Sequence, residues 1–363
     1  VDANRSVNNF RFFAEFGRNM ESETFEMPDA TNYVMRKPIG IVGLISPWNL
    51  PLYLLSWKVA PALLMGNTII AKPSEITPIT AHFLGRVCTD IGLPDGVLNI
   101  VHGYGPEIGQ AIVEHPKIRA ISFTGGTATG KIVAATAAPM FKKLSLELGG
   151  KNASIIMGDA DLDIAVPGVL RASFLNSGQI CLCGSRVLIH SSIYDEFMSR
   201  YLEQLQSFEI GPVISDSHRD KVMSYVELAK QEGGQILAVG NIPDKPGSWI
   251  EPTVIGGLSH NSRTATEEIF GPVVTIHQFD SDDEAIRMAN STQYGLAGSV
   301  WSKNKGRAIA EKIDSGMVWV NTWLHRDLRV PFGGVKDSGV GREGGMWSVG
   351  FFSEAVNICV MED

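Results

Sequence analysis

The amino-acid sequence predicts an α/β protein with two doubly wound, Rossmann-like domains. The chain has 363 residues, 44% of them hydrophobic, which exceeds the ~150 residues of an average domain and allows two cores. Segments typical of strands alternate with segments typical of helices along two successive stretches. Such alternation is typical of parallel sheets covered by helices.

The chain opens on an amphipathic pattern. From Arg5 to Phe13, apolar residues recur at helical spacing, which predicts the middle of a helix. The first residue is Val1 rather than Met. We therefore expect the native chain to begin further upstream.

The segment Ile39–Trp57 carries no charge over 19 residues, close to the ~20 that cross a bilayer. Pro47, Asn49 and Pro51 lie at its middle and would leave backbone groups unsatisfied in lipid. We predict instead a buried strand that leads into a loop and then a helix.

Four apolar segments of the first stretch end in turn residues and predict strands: IVGLISPWN (41–49), NTIIAKPSE (67–75), GVLNIVHG (96–103) and AISFTGG (120–126). A strand that ends in glycines before a helix lets the backbone approach a phosphate. Gly125 and Gly126, before the helix predicted from Thr127, fit a pyrophosphate site. Short glycine patterns also mark ordinary turns.

A lone carboxylate follows the first stretch. In the sequence LSLELGG, the alternation places Ser145 and Glu147 on one face of a strand, opposite three leucines. Glu147 is therefore either functional or part of a solvated strand edge.

Cys181 follows a polar turn, Asn176–Ile180, after a helix rich in small residues. A thiol at such a turn can be exposed and reactive. The commoner fate of a cysteine is a small buried residue, which we expect for Cys88, Cys183 and Cys359. Four scattered cysteines indicate neither a disulfide framework nor a zinc site, and they favour a reducing, intracellular compartment.

The second stretch predicts another doubly wound domain. Its strand segments are VLIHSS (187–192), WIEPTVIGG (249–257), VVTIHQF (273–279), AGSVWSK (297–303) and GMVWVNT (316–322), and its predicted helices include 193–208 and 218–232.

Charge and histidine spacing exclude two kinds of function. Lys and Arg number 31 against 39 Asp and Glu, giving a net charge of -8 without a basic, aromatic-rich run, which argues against nucleic acid as a partner. The eight histidines show no metal-ligand spacing. We predict no metal site.

Seven motifs in one order resemble the aldehyde dehydrogenase superfamily: PWNLP, KPSE, FTGG, LELGGKN, GQIC, EEIFGPV and PFGGVKDSGVGRE. The resemblance covers essentially the whole chain, which begins on the order of a hundred residues inside the usual one. One departure lies at Ser207–Ile210, which leads straight into Gly211 where family members usually carry a loop resembling GDPxDPxT.

The resemblance implies oxidation of an aldehyde to a carboxylic acid through a thioester. Cys181 matches the nucleophile, which attacks as its thiolate. The Asn49 side chain and the Cys181 backbone N–H match the donors that hold the oxyanion. Glu147 matches the general base that activates water for hydrolysis.

The resemblance also implies a dinucleotide, because the expelled hydride needs an acceptor. Lys72, Ser74 and Glu75 match the adenosine-ribose contacts, and a carboxylate at Glu75 favours NAD over NADP. The remaining cofactor matches are Gly125 and Gly126 at the pyrophosphate, Glu268 at the nicotinamide ribose, Phe270 near the nicotinamide, and Trp48 and Lys58 at the entrance.

Three segments, including NTWLHRDLRVPFGG, resemble the 2-aminomuconic and 2-hydroxymuconic semialdehyde dehydrogenases. Such substrates carry a remote carboxylate, which suits an Arg guanidinium. Arg5, Arg326 and Phe332 match substrate-binding positions. The alternative for both arginines is a solvated surface side chain, and Arg11 or Arg329 could substitute.

The resemblance divides the chain into an NAD-binding domain (1–150) that lacks its N-terminal part, a catalytic domain (151–345) and a C-terminal oligomerisation strand (346–363). A hairpin at 22–36 and the strand Val356–Val360 are expected to pair across subunits, because an exposed apolar edge needs a partner. We expect a cytoplasmic homodimer or homotetramer that acts on a small aldehyde without contacting a membrane.

Two other functions remain open at this point. One is a different semialdehyde or betaine-aldehyde dehydrogenase, for which Arg326 would be incidental. The other is a truncated, non-catalytic relative that keeps the fold. The presence of Asn49, Glu147 and Cys181 favours a catalyst. The choice between an amino and a hydroxy substrate is left open by the sequence.

Overall fold

A computed structural model describes residues 2–361. Val1, Glu362 and Asp363, which fall in the predicted domain ranges, lie outside the described residues. Two compact units divide the chain: one runs through Glu147 and takes up residues 327–333 and Gly339 onward, and the other comprises residues 148–326 and 334–338. Residues 327–333 and 339–345, expected in the catalytic domain, thus fold with the first unit, where β17 pairs with β7 and Phe332 pairs with Glu343. Residues 148–150, expected in the NAD-binding domain, fold with the second unit. The functional domain ranges stay predictions.

Eighteen strands are described: Glu23–Glu26 (β1), Ala30–Pro38 (β2), Ile41–Ile45 (β3), Thr68–Lys72 (β4), Leu98–Ile100 (β5), Ile118–Thr124 (β6), Lys143–Glu147 (β7), Ala153–Ile156 (β8), Arg186–His190 (β9), Gln235–Val239 (β10), Thr253–Gly256 (β11), Val273–Phe279 (β12), Tyr294–Gly295 (β13), Ala297–Trp301 (β14), Met317–Val320 (β15), Val335–Lys336 (β16), Gly339–Val340 (β17) and Ser353–Met361 (β18).

Twelve α-helices are described: Asp2–Arg18 (α1), Pro51–Leu64 (α2), Ile79–Asp90 (α3), Gln110–Glu114 (α4), Thr127–Ala137 (α5), Leu162–Phe174 (α6), Tyr194–Leu205 (α7), Asp216–Gln231 (α8), Arg263–Thr266 (α9), Asp282–Asn290 (α10), Gly306–Ala310 (α11) and Gly345–Phe351 (α12).

The first unit is built on a six-stranded sheet in the order β17-β7-β6-β3-β4-β5. All of its strands are parallel to their neighbours except the short β17, which pairs antiparallel with β7. Val42, Leu44, Ile69 and Ala71 of β3 and β4 are fully buried in its core, as expected for parallel strands covered on both faces. The four strands predicted for this stretch are confirmed.

The uncharged segment Ile39–Trp57 folds as predicted for a globular domain. Strand β3 ends at Ile45, and α2 begins with Pro51 in its first turn. Proline is tolerated there because the first N–H groups of a helix have no hydrogen-bond partner within the helix. Pro47 and Asn49 lie in the intervening loop. Within residues 2–361, no helix has the length and apolar character required to cross a membrane.

The second unit contains a seven-stranded sheet in the order β10-β11-β12-β9-β8-β14-β15. Only β10 runs antiparallel to its neighbour. Val187, Leu188, Val274 and Val300 are completely buried, so this sheet also has two covered faces. The prediction of two doubly wound α/β folds is confirmed, although β8 and β10 were not predicted.

A separate three-stranded antiparallel sheet joins the hairpin β1-β2 to β18 within one chain. Strand β18 pairs with β2 along its full length. Both strands are largely exposed, and Tyr33, Met35 and Val360 present apolar side chains to solvent. The expectation that Cys359 is buried is wrong, because it lies exposed on β18. Pairing of these strands across subunits stays a prediction.

Candidate active site

In the first unit, the predicted residues lie at the carboxyl ends of parallel strands. Trp48 and Asn49 follow β3, Lys72 ends β4, Gly125 follows β6 and Glu147 ends β7. Backbone hydrogen bonds tie these ends together: Ser46 N donates to Lys72 O over 3.1 Å, and Gly125 N donates to Glu147 O over 3.1 Å. The carboxyl edge of a parallel sheet is where ligands bind in such folds.

Glu147 is a buried carboxylate. Its side chain is 4% exposed and that of Ser145 is 0% exposed, so the alternative of a solvated strand edge is wrong. A Cβ atom on Gly333 would lie 2.6 Å from Glu147 Oε1. Gly333 also has a φ of +146°, which favours glycine. The PFGG motif therefore leaves room for this carboxylate, a relation that the sequence did not reveal.

The expected adenosine contacts occur together beyond β4. Lys72 is buried, and its Nζ lies 3.2 Å from Glu75 Oε2. Burial opposes ionisation of Glu75, but a backbone hydrogen bond and Lys72 outweigh it and hold the pKa of this carboxyl below its ordinary value. Ser74 is buried beside them. Glu75 is thus a stable anion, which would repel a 2′-phosphate.

The glycines after β6 leave the start of α5 open. Gly126 occupies the cap position of this helix, and no side chain caps it. A Cβ atom on Gly126 would meet nothing within 4 Å. The positive end of the α5 dipole thus lies beside a residue without a side chain, an arrangement that suits a pyrophosphate.

Lys58 forms a buried ion pair that the sequence did not predict. Its Nζ lies 2.7 Å from Glu343 Oε1 and 2.8 Å from Ser122 Oγ. The two charged side chains are 285 positions apart in the chain. Phe332, a predicted substrate contact, is buried and exchanges two backbone hydrogen bonds with Glu343. Arg5 stacks over Tyr53, with its guanidinium carbon 5.2 Å from the ring centroid.

In the second unit, Cys181 follows a turn with unusual backbone geometry. Asn176, Ser177 and Gly178 have φ values of +54°, +56° and +71°. A non-glycine residue in this region costs about 1 kcal/mol. Two hydrogen bonds hold the turn: Ser177 Oγ donates to Gly211 O over 2.5 Å, and Ile214 N donates to Gln179 Oε1 over 2.9 Å. The acceptor Gly211 directly follows the short connection noted in the sequence.

The two neighbouring cysteines differ in their environment. All four cysteines, which lie within the described residues, are thiols without disulfides. Cys181 is half-buried, whereas burial raises the pKa of Cys183 to about 12 and also raises that of Cys88. A buried thiol of high pKa supplies little thiolate. Cys181 is therefore the better nucleophile of the pair.

The Glu268 side chain packs against the two glycines of the LELGGKN motif. Gly150 N donates to Glu268 Oε1 over 3.0 Å. A Cβ atom on Gly149 would lie 2.8 Å from Glu268 Cδ, so only glycine fits there without movement. Burial raises the pKa of the Glu268 carboxyl. The sequence did not reveal this contact.

The segment that carries Glu268 is anchored on both sides. The buried Lys151 Nζ donates to Thr264 O over 2.8 Å, and burial lowers the pKa of this lysine to about 7. Phe270 has a φ of +64°, and its carbonyl oxygen lies 2.8 Å from His218 Nε2. These contacts hold Glu268 and Phe270 in a defined, strained loop.

Arg326 lies in a loop that contacts the nucleophile turn. Trp323 Nε1 donates to Leu182 O over 3.0 Å, next to Cys181. Arg326 itself is half-buried. By contrast, Arg329 is exposed and pairs with Asp327, whose pKa falls to about 2 through hydrogen bonds from Arg329. Arg329 is thus already engaged by a carboxylate.

The family model described as the aldehyde dehydrogenase family matches residues 1–358. The chain belongs to this family. A 2-aminomuconic 6-semialdehyde dehydrogenase of Pseudomonas sp. is 49% identical, covering 100% of this chain and 79% of that protein. A 2-hydroxymuconic semialdehyde dehydrogenase of Pseudomonas sp. (strain CF600) is 46% identical over 99% of this chain and 79% of its own length.

Crystal structures of the aldehyde dehydrogenase family share the fold. Betaine aldehyde dehydrogenase from Staphylococcus aureus, in complex with NAD+, superposes with a TM-score of 0.94 at 38% identity, covering 99% of this chain and 74% of that chain. The alignment with the 2-aminomuconic relative spans 386 positions, which exceeds the 363 residues of this chain by 23. This chain therefore lacks residues that the relative has.

Each unit of this aldehyde dehydrogenase chain brings together its own share of the predicted residues. The first unit gathers the predicted oxyanion donor, base and adenosine contacts at one sheet edge. In the second unit, Gly150 of the LELGGKN motif contacts the Glu268 side chain, and Asn152 of the same motif contacts the Cys181 backbone. Among residues 2–361, no group of three or more His, Cys, Asp or Glu side chains could hold a metal ion.

Proposed function

We propose that this chain oxidises a muconic semialdehyde to the corresponding acid with NAD, through a thioester on Cys181. The observation that carries the proposal is the half-buried Cys181 thiol on a strained turn, next to a Cys183 thiol whose pKa burial raises to about 12. The relatives named as muconic semialdehyde dehydrogenases support the substrate class.

Cys181 carries the covalent chemistry. Its thiolate attacks the aldehyde carbon, a C–S bond forms, and the carbonyl electron pair moves onto oxygen. The Asn49 amide and the Cys181 N–H are the proposed donors to that oxyanion. When the oxyanion collapses, the carbon loses hydride and becomes a thioester. A bound nicotinamide dinucleotide would supply the hydride acceptor.

Glu147 completes the reaction as general base. Its buried carboxylate takes a proton from water, the water oxygen attacks the thioester carbon, and the C–S bond breaks to release the acid and regenerate Cys181. The position of Glu147 at the carboxyl end of β7 and the burial of its carboxylate support this role.

The residues present fit NAD. Lys72, Ser74 and the anionic Glu75 would hold the adenosine ribose, and the open start of α5 at Gly125 and Gly126 would hold the pyrophosphate. In the second unit, the Glu268 carboxyl group, which accepts from Gly150 N, would bind the nicotinamide ribose, with Phe270 and Trp48 as the proposed neighbours of the ring. The anion at Glu75 favours NAD over NADP.

Arg326 is the proposed partner of the substrate carboxylate, with Arg5 and Phe332 as further contacts. Arg326 is preferred to Arg329 because its loop contacts the segment after Cys181 through the hydrogen bond from Trp323 to Leu182. A second candidate is betaine aldehyde oxidation, favoured by the similarity to the Staphylococcus aureus enzyme. A guanidinium near the substrate would disfavour a quaternary ammonium, because like charges repel.

We propose a cytoplasmic homodimer or homotetramer. The exposed apolar side chains of β2 and β18 support self-association. A thiol nucleophile supports a reducing compartment.

The test compares NADH formation from 2-hydroxymuconic semialdehyde, 2-aminomuconic semialdehyde and betaine aldehyde. NADH binding is measured separately. We expect the muconic substrates to be preferred, activity to vanish in Cys181→Ala, and Arg326→Ala to raise KM far more than the control Arg329→Ala. A preference for betaine aldehyde would select the second candidate. A folded chain with neither activity nor NADH binding would support the non-catalytic alternative.

A further inference from the structure

Asn152 holds the backbone on the C-terminal side of the nucleophile. Its Nδ2 donates to Cys181 O over 2.7 Å and to Cys183 O over 2.9 Å. Its Oδ1 accepts from Ala297 N, at the start of β14, over 2.9 Å. The side chain is 4% exposed. Asn152 thus satisfies all of its amide hydrogen-bonding groups with backbone groups of one unit.

The peptide on the other side of Cys181 is held as well. Cys183 N donates to Ile180 O over 2.9 Å, and this carbonyl shares a peptide plane with the Cys181 N–H. The carbonyl that Asn152 binds belongs to the next peptide plane. Fixing both planes fixes φ and ψ of Cys181, and with them the direction of its Cα–Cβ bond.

We propose that Asn152 is a positioning residue for Cys181. The inference rests on the proposed nucleophile role of Cys181. Asn152 does not touch the reacting atoms; it aims the thiol and, through the 180–183 turn, the N–H proposed to hold the oxyanion. Without it, Cys181 would sit at the end of a strained turn, Asn176–Gly178, with one fewer restraint.

Only a primary amide supplies this set of contacts. Two carbonyl oxygens need two N–H groups on one nitrogen, while Ala297 N needs an acceptor on the same side chain. Asp has the same shape but would turn a carboxylate oxygen toward two carbonyl oxygens. Ser could supply a single donor. These substitutions therefore remove the contacts in two different ways.

The chain contains a matched control. Asn67 is 1% exposed, and its Nδ2 donates to Ala62 O and Phe352 O over 3.1 and 2.8 Å. Its Oδ1 accepts from Ile39 N and Gly40 N. It lies at the amino end of β4, opposite the end that carries Lys72. Asn67 and Asn152 thus make the same kind of contacts, but only Asn152 holds Cys181.

The experiment measures the rate of Cys181 alkylation by iodoacetamide across pH, with peptide-resolved mass spectrometry, in a Cys359→Ser background that removes an exposed thiol. The same variants are assayed for kcat, KM and the urea midpoint. We expect Asn152→Asp and Asn152→Ser to lower the limiting alkylation rate and kcat by about tenfold to a hundredfold, with KM for NAD little changed. Asn67→Ser should lose stability and keep wild-type alkylation.

Asn152→Ser decides the question if Asn152→Asp does not fold. Wild-type alkylation and kcat in folded Asn152→Ser, with a loss of stability like that of Asn67→Ser, would overturn the proposal and leave Asn152 a structural residue. Failure of the proposed function is distinguishable, because the wild type would then form no NADH or Cys181→Ala would retain NADH formation, whereas the alkylation rate of Cys181 reports on Asn152 in either case.

Discussion

The two compact units hold their predicted residues by different means. In the first unit, Lys72 and Glu147 are the last residues of parallel strands, and Gly125 follows another, so the sheet itself fixes their positions. In the second unit, Cys181 and Glu268 lie on irregular backbone with left-handed residues, and side-chain hydrogen bonds hold it. Regular structure positions one set, and individual contacts position the other.

Two buried lysines illustrate the same difference. Lys58 of the first unit pairs with Glu343 at 2.7 Å. Lys151 of the second unit donates to a backbone carbonyl, and burial lowers its pKa to about 7. The Lys58 ammonium group is thus paired with a carboxylate, whereas Lys151 can lose its proton near neutral pH. We therefore expect the second unit to be more sensitive to single substitutions and to pH.

The largest effect is expected at the nucleophile. Cys181→Ala should lower kcat by at least about a thousandfold, because no other side chain forms the thioester. Cys183→Ala is the control, since its thiol is buried and its pKa is raised. NADH formation measures both. Equal losses in the two variants would break the assignment of Cys181.

Glu147→Gln should lower kcat by about 10²- to 10⁴-fold, the contribution of a general base. If the base acts in hydrolysis, the acyl-enzyme accumulates and adds the acyl mass to the protein. Intact-protein mass spectrometry after mixing with substrate and NAD detects it. Ser145→Ala, on the same strand face, should do neither. Absence of both effects in Glu147→Gln would indicate that sheet-edge placement does not identify the base.

Gly149→Ala sharpens the comparison at Glu268. A methyl group there would displace the carboxylate, because the added Cβ atom would lie 2.8 Å from Glu268 Cδ. We expect the dissociation constant for NADH, measured by fluorescence titration, to rise about tenfold, the value of one charged hydrogen bond. Gly350→Ala, whose Cβ would meet nothing within 4 Å, is the control. An unchanged constant would remove Glu268 from the cofactor contacts.

The smallest effect concerns pH and stability. Because burial lowers the pKa of Lys151 to about 7, the unfolded chain binds more protons than the folded chain between about pH 7 and the ordinary value of 10.5. The free energy of unfolding should therefore gain about 1 kcal/mol per pH unit from this group as pH rises above 7. In Lys151→Met, this increase of the unfolding free energy with pH should be absent. Urea unfolding midpoints measured at several pH values test the difference. Identical slopes would show that Lys151 stays charged.

The sequence by itself determined the alternation of strands and helices, the two parallel sheets and the motif residues that identify the family. These features are local: a β-branched run such as β3, or a glycine pair before α5, is legible in a few neighbouring residues. Even the uncharged segment Ile39–Trp57 was assigned correctly, because its prolines lie within it.

Only the tertiary structure determined which distant residues contact one another and which side chains are buried. The buried faces of Ser145 and Glu147, the pairing of Lys58 with Glu343, the contact of Asn152 with Cys181 and the exposure of Cys359 were not predictable. Each depends on which distant segments pack together: 285 positions separate Lys58 from Glu343, and 29 separate Asn152 from Cys181. Local patterns specify elements, whereas burial and hydrogen-bond partners are set when those elements pack.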